Sequence, residues 1–320
     1  MERWVLDLLA CPRDAAPLTR EGDRLLCPHG HHYAIVDEVP ILLVSDAVQT
    51  HWVATDALGV AARGHADPSV AVGEGEIDPW VQAAIGATNG NLYRGVIGRL
   101  PRYPIPRFPL RTADSDVLID IGCNWGRWSL AASRAGFRVI GIDPAFDAVR
   151  AARRVATQLD VEAAFIVGDA RFLPIASASV DAAFSFSVLQ HLAESDVAQT
   201  ASSIGRVLKP GGLCLVQMAA RYGPRSIVQQ ARRGFRAPKA FEVRYWAPSV
   251  LLGCFASRIG PARLEPDAFF SLNARPEDLD LLTRGGRGVV RVSKVLTAVA
   301  RRVPLLTSVA DSVWVRARRI

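Results

Sequence analysis

Long apolar runs, cysteine and lysine are scarce in this sequence, and each shortage bears on what the chain can be. No stretch approaches the roughly 20 consecutive apolar residues that span a bilayer, so no transmembrane helix is expected. The start, Met1-Glu2-Arg3-Trp4, carries an acid and lacks an apolar run ending in a small-residue cleavage site. No signal peptide is expected, and a cytoplasmic location is the default. Five cysteines in 320 residues do not make a disulfide framework. Cys123, Cys214 and Cys254 sit in apolar or glycine-rich runs and read as buried thiols. Only Cys11 and Cys27, each beside a proline, invite a ligand reading.

Lysine supplies three of the 38 basic residues. Residues 221–320 hold 19 Lys and Arg against 7 Asp and Glu, a balance of +12, whereas residues 1–220 carry −5. Such a basic region points to acidic partners: phosphate-bearing substrates, nucleic acid or an anionic membrane surface. An arginine-rich genome accounts for the same bias equally well. Half of the residues are hydrophobic and 22% charged, which reads as soluble and globular, and 320 residues suffice for one large α/β domain with a small appendage.

No internal repeat is visible. Residues 1–46 read as a compact unit with a short helix over 4–9, two Cys-Pro turns and strands near 33–36 and 41–44. The proline- and glycine-rich stretch 47–110 reads as a connector with one helix at 78–87. From residue 111 a regular domain follows. Strands are expected at 117–121, 138–143, 163–169, 180–187 and 212–218, with helices at 126–135, 145–159 and 194–208 between them. That alternation implies βαβ units and a parallel sheet covered on both faces. Further on, a helix at 250–259, a strand at 262–270, a basic helix at 289–302 and a strand at 310–318 would complete it, with a variable substrate region over about 220–310.

The first strand of this domain runs into Asp120-Ile-Gly122-Cys-Asn124-Trp-Gly126 and then a helix. Gly122 and Gly126 permit a tight turn and close approach of a ligand, and the helix start offers unpaired N–H groups to an anion. Asp143 ends the second strand, 23 residues after Asp120. That is near the spacing at which an acid accepts hydrogen bonds from ribose hydroxyls in nucleotide folds. The G-x-x-x-G spacing departs from the nicotinamide fingerprint, which disfavours a dehydrogenase.

These motifs resemble, in order over residues 116–219, the class I S-adenosylmethionine-dependent methyltransferases of the broad small-molecule, type 11-like group. The resemblance implies a Rossmann-like, doubly wound, mostly parallel seven-stranded sheet with an antiparallel terminal strand. It implies that Asp120, Gly122, Asn124 and Gly126 hold the methionine part of S-adenosyl-L-methionine and that Asp143 binds the ribose. Gly168-Asp169-Ala170 resembles the loop contacting adenine, Ser187 lies in the turn after the fourth strand, and Arg206-Val-Leu-Lys-Pro-Gly-Gly212 resembles the turn before the fifth.

His191 follows the fourth strand and is the candidate catalytic base; packing against the cofactor or capping a helix is its structural alternative. Arg221, Tyr222, Tyr245 and Trp246 are candidate contacts for an aromatic or anionic acceptor, or else fill the domain's edge. The Asn-Pro-Pro-Tyr motif of amino-methylating enzymes is absent. A small-molecule acceptor methylated on oxygen is the leading expectation. RNA base methylation and a non-catalytic cofactor-binding module are the alternatives.

Residues 5–44, with Cys11-Pro-Arg-Asp14 and Cys27-Pro-His29-Gly30-His31, resemble the small zinc-ribbon-like domain of the tRNA-methyltransferase activator family. That family uses two C-x-x-C pairs. Here Asp14 and Gly30 replace the second cysteines, leaving Cys11, Asp14, Cys27 and His31 (or His29) as a candidate zinc set, with a metal-free ribbon the alternative.

Overall fold

A computed structural model describes every residue except 69, 74, 113, 114, 271 and 272. Its centre is the expected parallel sheet. Strands β5 (Val117–Ile121), β6 (Arg138–Asp143), β7 (Ala164–Gly168), β8 (Val180–Phe186) and β9 (Leu208–Ala219) are joined by helices α4 (Arg127–Arg134), α5 (Phe146–Gln158) and α6 (Glu194–Val207). Their runs of Val, Ile, Leu and Ala are buried on both faces, which is what a parallel sheet sandwiched by helices requires. Strands β10 (Ala262–Ala268) and β11 (Ser312–Arg318) follow, and β11 pairs antiparallel with both β9 and β10.

The sheet has eleven strands, not seven, in the order β1-β2-β3-β4-β7-β6-β5-β8-β9-β11-β10. The additional four come from the first 42 residues: β1 (Thr19–Glu21), β2 (Arg24–Leu26), β3 (His32–Val36) and β4 (Val39–Leu42). The first three pair antiparallel in sequence, but β4 lies parallel to β7, with Ile41 opposite Val167 and Leu42 opposite Gly168. The cause is legible in β4, where all four residues are buried, the signature of an interior strand. Burying side chains such as Ile41 and Leu42 contributes about 1.5–3 kcal/mol each. Helix α1 (Arg3–Leu8) leads into the same seam: the Ala10 N–H donates to Pro174 O and the Ala176 N–H to Leu8 O. Val5, Leu9, Leu25 and Leu42 belong to one core cluster with Ile119, Ile142 and Val216.

The connector holds two helices rather than one. Helix α3 (Pro79–Thr88) begins at Asp78, whose carboxylate accepts from Trp80 and Val81 N–H. Helix α2 (Trp52–Arg63) is capped by the His51 ring, which accepts from Val53 N–H, and stops at Gly64 in the left-handed region. An imidazole cap carries no strong sequence signal. Helices α7 (Pro224–Arg232), α8 (Pro248–Ala256) and α9 (Arg284–Ala300) complete the chain. No helix is long and apolar enough to cross a membrane among the described residues.

Candidate functional site

The carboxyl ends of β5, β6, β7 and β8 stand side by side, and each carries or precedes a residue singled out from sequence. Asp120 lies in β5 opposite Gly141, Asp143 ends β6 opposite Val167, Asp169 follows β7 and Ser187 follows β8. The structure therefore gathers all three acids on one edge, where ligands bind in doubly wound sheets.

The turn after β5 is tied to β6. Gly122 and Cys123 N–H both donate to Ile142 O, at 2.7 and 3.1 Å. Gly122, Asn124 and Gly126 have φ of 76°, 50° and 84°, so the turn depends on left-handed backbone. A β-carbon on Gly122 would collide with Val188, and one on Gly126 would sit 3.0 Å from Phe165. The glycines are thus required by the chain's own packing as well as by the turn.

Asp143 is the latch of this turn. One carboxylate oxygen accepts from Asn124 N–H and the other from Ala145 N–H, both at 2.9 Å. Burial pushes its carboxyl up to about 6, against the pull of those two N–H groups. Asp120 is buried beneath it and accepts from Ser129 Oγ at 2.6 Å, joining β5 to α4. Burial, with the charge of Asp143 adding, raises its carboxyl to about 7 although Ser129 opposes this.

Asp169 is engaged by a side chain that the sequence reading did not pair with it. Its oxygens accept from the backbone N–H of Arg171 at 2.8 Å and from its guanidinium at 2.7–3.2 Å. Arg171 also reaches Asp196 and Val48 O. The carboxylate is held in an ion pair instead of being presented free, and an arginine two residues on gave no sequence signal for it. Ala170 opens the short 3₁₀ turn after it. Ser187 has φ of 62° and its Oγ accepts from Gln190 Nε2 at 2.8 Å. Gln190 Oε1 is buried without a partner among the described residues.

His191 stacks on Phe241, centroids 4.4 Å apart, and Phe241 is met edge-on by His51. His191 Nδ1 lies 2.7 Å from Phe241 O, so it carries the proton and leaves Nε2 as the acceptor nitrogen. Burial lowers its pKa, which favours the neutral ring. Arg221, Tyr245 and Trp246 line one cavity of about 290 Å³ with Glu194, Arg233 and Arg244. Arg233 lies 5.2 Å over the Tyr245 ring. Trp246 is packed into the core and forms a wall of that cavity, and Tyr222 is exposed outside its lining.

Behind the turn lies a group that sequence reasoning missed. Arg127, the first residue of α4, donates to Asp278 at 2.6 Å and to Tyr93 Oη at 3.2 Å. Residues 91–96 and 276–281 are thereby fastened to the start of the helix that follows the glycine turn. The three residues lie 34 and 151 positions apart, beyond any local pattern.

In the N-terminal unit, Cys11, Asp14, Cys27 and His31 place one ligand atom each within 4.8 Å of one another. Cys11 Sγ is 3.4 Å from His31 Nδ1, Asp14 Oδ2 is 3.1 Å from that nitrogen, and Cys27 Sγ is 3.4 Å from Asp14 Oδ2. Edges of about 3.3–3.8 Å are what a tetrahedron of S, N and O ligands at ordinary zinc bond lengths has. His29, also 2.9 Å from Asp14, is the more exposed imidazole.

Residues 118–212 match the family model described as "Methyltransferase domain". Malonyl-(acyl-carrier protein) O-methyltransferase of Xylella fastidiosa is 34% identical over 115 residues, covering 35% of this chain and 37% of that protein. Ubiquinone biosynthesis O-methyltransferase of Methylocella silvestris is 30% identical over 115 residues, 36% of this chain and 44% of that protein. The chain thus spans less than half the length of these curated relatives. A solved S-adenosylmethionine-dependent methyltransferase from Methanosarcina mazei aligns with 68% of this chain and 99% of its own, at 18% identity and a TM-score of 0.46.

Proposed function

We propose that this chain is an S-adenosylmethionine-dependent methyltransferase acting on an oxygen of a small, anionic acceptor. The observation that carries the reading is Asp143: a buried carboxylate at the end of β6, latched to the glycine turn, with lone pairs left to accept from a ribose diol. The match of residues 118–212 and the two O-methyltransferase relatives support it. The site's chemistry fits the cofactor. Gln190 Oε1 is a buried acceptor without a donor, beside Ser187, and the cofactor's amino group is such a donor.

Bound at this edge, S-adenosylmethionine would supply a methyl group on a sulfonium centre for in-line displacement by the acceptor. Asp143 holds the nucleoside, with Asp120 beneath it bracing the turn, and Asp169 keeps the Ala170 loop in place through Arg171. His191, neutral and with Nε2 free of its Phe241 bond, takes the acceptor's proton as the C–O bond forms. The cavity of Arg221, Arg233, Arg244 and Tyr245 holds the acceptor's negative group. We also infer that Cys11, Asp14, Cys27 and His31 hold one Zn²⁺, which would pin the hairpins of the first unit together.

Calorimetry with S-adenosylmethionine tests the cofactor: saturable one-to-one binding is expected, and no detectable heat refutes the reading. Turnover to S-adenosylhomocysteine with carboxylates, phenols, sugars and RNA then tests the acceptor. Activity confined to RNA would overturn the small-molecule assignment.

A further inference from the structure

One large cavity is lined by none of the residues named at the strand ends. It has a volume of about 1030 Å³ and runs along the sheet face between residues 105–112, α4 and α9. Its buried floor is aromatic: Phe108, Trp128 and Trp314. These rings form one cluster with Phe184 and Phe186, centroids 4.7–6.4 Å apart. The exposed mouth is cationic: Arg107, Arg111, Arg134, Lys294 and Arg301. None of these five has an ion-pair partner among the described residues, unlike Arg102, Arg127, Arg171 and Arg236 elsewhere. On the acidic side of the lining stand Glu277 and Asp267, and Asp267 is already paired with Arg275 at 2.7 Å.

A second observation points the same way. Three polar atoms that are buried without a partner among the described residues belong to this lining: Trp128 Nε1, Arg275 Nε and Thr112 Oγ1. Two are N–H donors and the third a hydroxyl, so their complement is a group rich in acceptor oxygens. Arg275 lies 4.5 Å over Phe186 and 5.3 Å over Trp128, so its guanidinium is stacked while Nε stays unbonded. Trp128, one residue after the Arg127 anchor, brings a donor and a ring to one wall.

From this we propose that the groove is a binding site for an anion with an aromatic body, an aryl phosphate or carboxylate. Its ring would lie on Trp128, Trp314 and Phe108 and its oxygens would meet the free donors and the cationic mouth. The cavity lies at the upper end of the size range for small-molecule sites, and the proposal does not depend on the methyl-transfer reading.

The probe is 1-naphthyl phosphate, titrated calorimetrically into the full chain, with inorganic phosphate and 1-naphthol as separate arms. One-to-one binding of the aryl phosphate, at least about tenfold tighter than either fragment, is the expected result. The surface pair Arg111→Gln/Lys294→Gln should weaken it about tenfold. Trp128→Phe, which keeps a ring but removes the N–H, should weaken it about threefold to tenfold. S-adenosylmethionine affinity, measured on the same samples, should not move in the surface pair, so failure of the cofactor reading and failure of this one stay distinguishable. No saturable binding of the aryl phosphate, equal affinity for inorganic phosphate alone, or undiminished affinity in Arg111→Gln/Lys294→Gln would each overturn the proposal.

Discussion

The proposed role of Asp143 predicts that cofactor affinity depends on pH in a direction opposite to this residue's effect on stability. Each carboxylate oxygen already accepts one backbone N–H. A proton must therefore occupy a lone pair that the ribose hydroxyls need. With the carboxyl pushed up to about 6, only about a tenth is ionised at pH 5, so affinity should fall about tenfold between pH 7 and pH 5, or about 1.4 kcal/mol. The ligand's α-amino group, titrating near 7.7, stays charged throughout that window. Asp143→Asn should be worse than protonation. Its amide nitrogen must face the N–H of either Asn124 or Ala145, leaving two donors opposed, so a loss of about tenfold to a hundredfold with no remaining pH slope is expected. Calorimetric titrations of both proteins at pH 5, 6 and 7 supply the numbers. An affinity flat across that range, or an Asp143→Asn variant that binds as tightly as the wild type, would refute the assignment.

Four further outcomes are expected. Asp120, raised to about 7 by burial, binds a proton in the folded chain that the unfolded chain has released above about pH 4. Stability should therefore fall by a few kcal/mol as pH rises from 4 to 8, and chemical denaturation of Asp120→Asn should show a markedly shallower decline. His191→Ala should lower the maximal rate about 10²–10⁴-fold with cofactor affinity unchanged, and an undiminished rate removes it as the base. Asp278→Ala leaves Arg127 charged and buried, which should cost about 3–5 kcal/mol in a urea titration. A cost below about 1 kcal/mol would mean that Tyr93 and the nearby carbonyls suffice. Elemental analysis should find about one zinc per chain, lost in Cys27→Ser; metal-free wild type would leave the four donors a purely hydrogen-bonded cluster.

Sequence reading located the strands and helices from residue 117 to 219 to within a few residues because apolar periodicity there is strong and turn glycines punctuate it. It placed Asp120, Asp143 and Asp169 on one edge for the same reason: a strand's end is a local property, and the parallel order puts the ends together. What it missed is long-range or weakly coded. Strands β1 and β2 are three residues each, too short for any periodicity to register. The pairing of β4 with β7 spans more than 120 residues. Arg171 on Asp169, Val188 over Gly122 and Asp278 on Arg127 are side-chain choices made by packing. Cys11, Asp14, Cys27 and His31 were legible because two Cys-Pro turns of one hairpin array bring them together locally.

Because β4 is zipped along β7, the N-terminal unit is not a detachable accessory. Cutting the chain after residue 46 would strip a parallel neighbour from the strand that leads into Asp169, leaving bare amides and carbonyls as a template for any passing chain. Attempts to shorten this protein to residues 47–320 should give aggregates, and adding the missing piece as a separate peptide is the natural rescue.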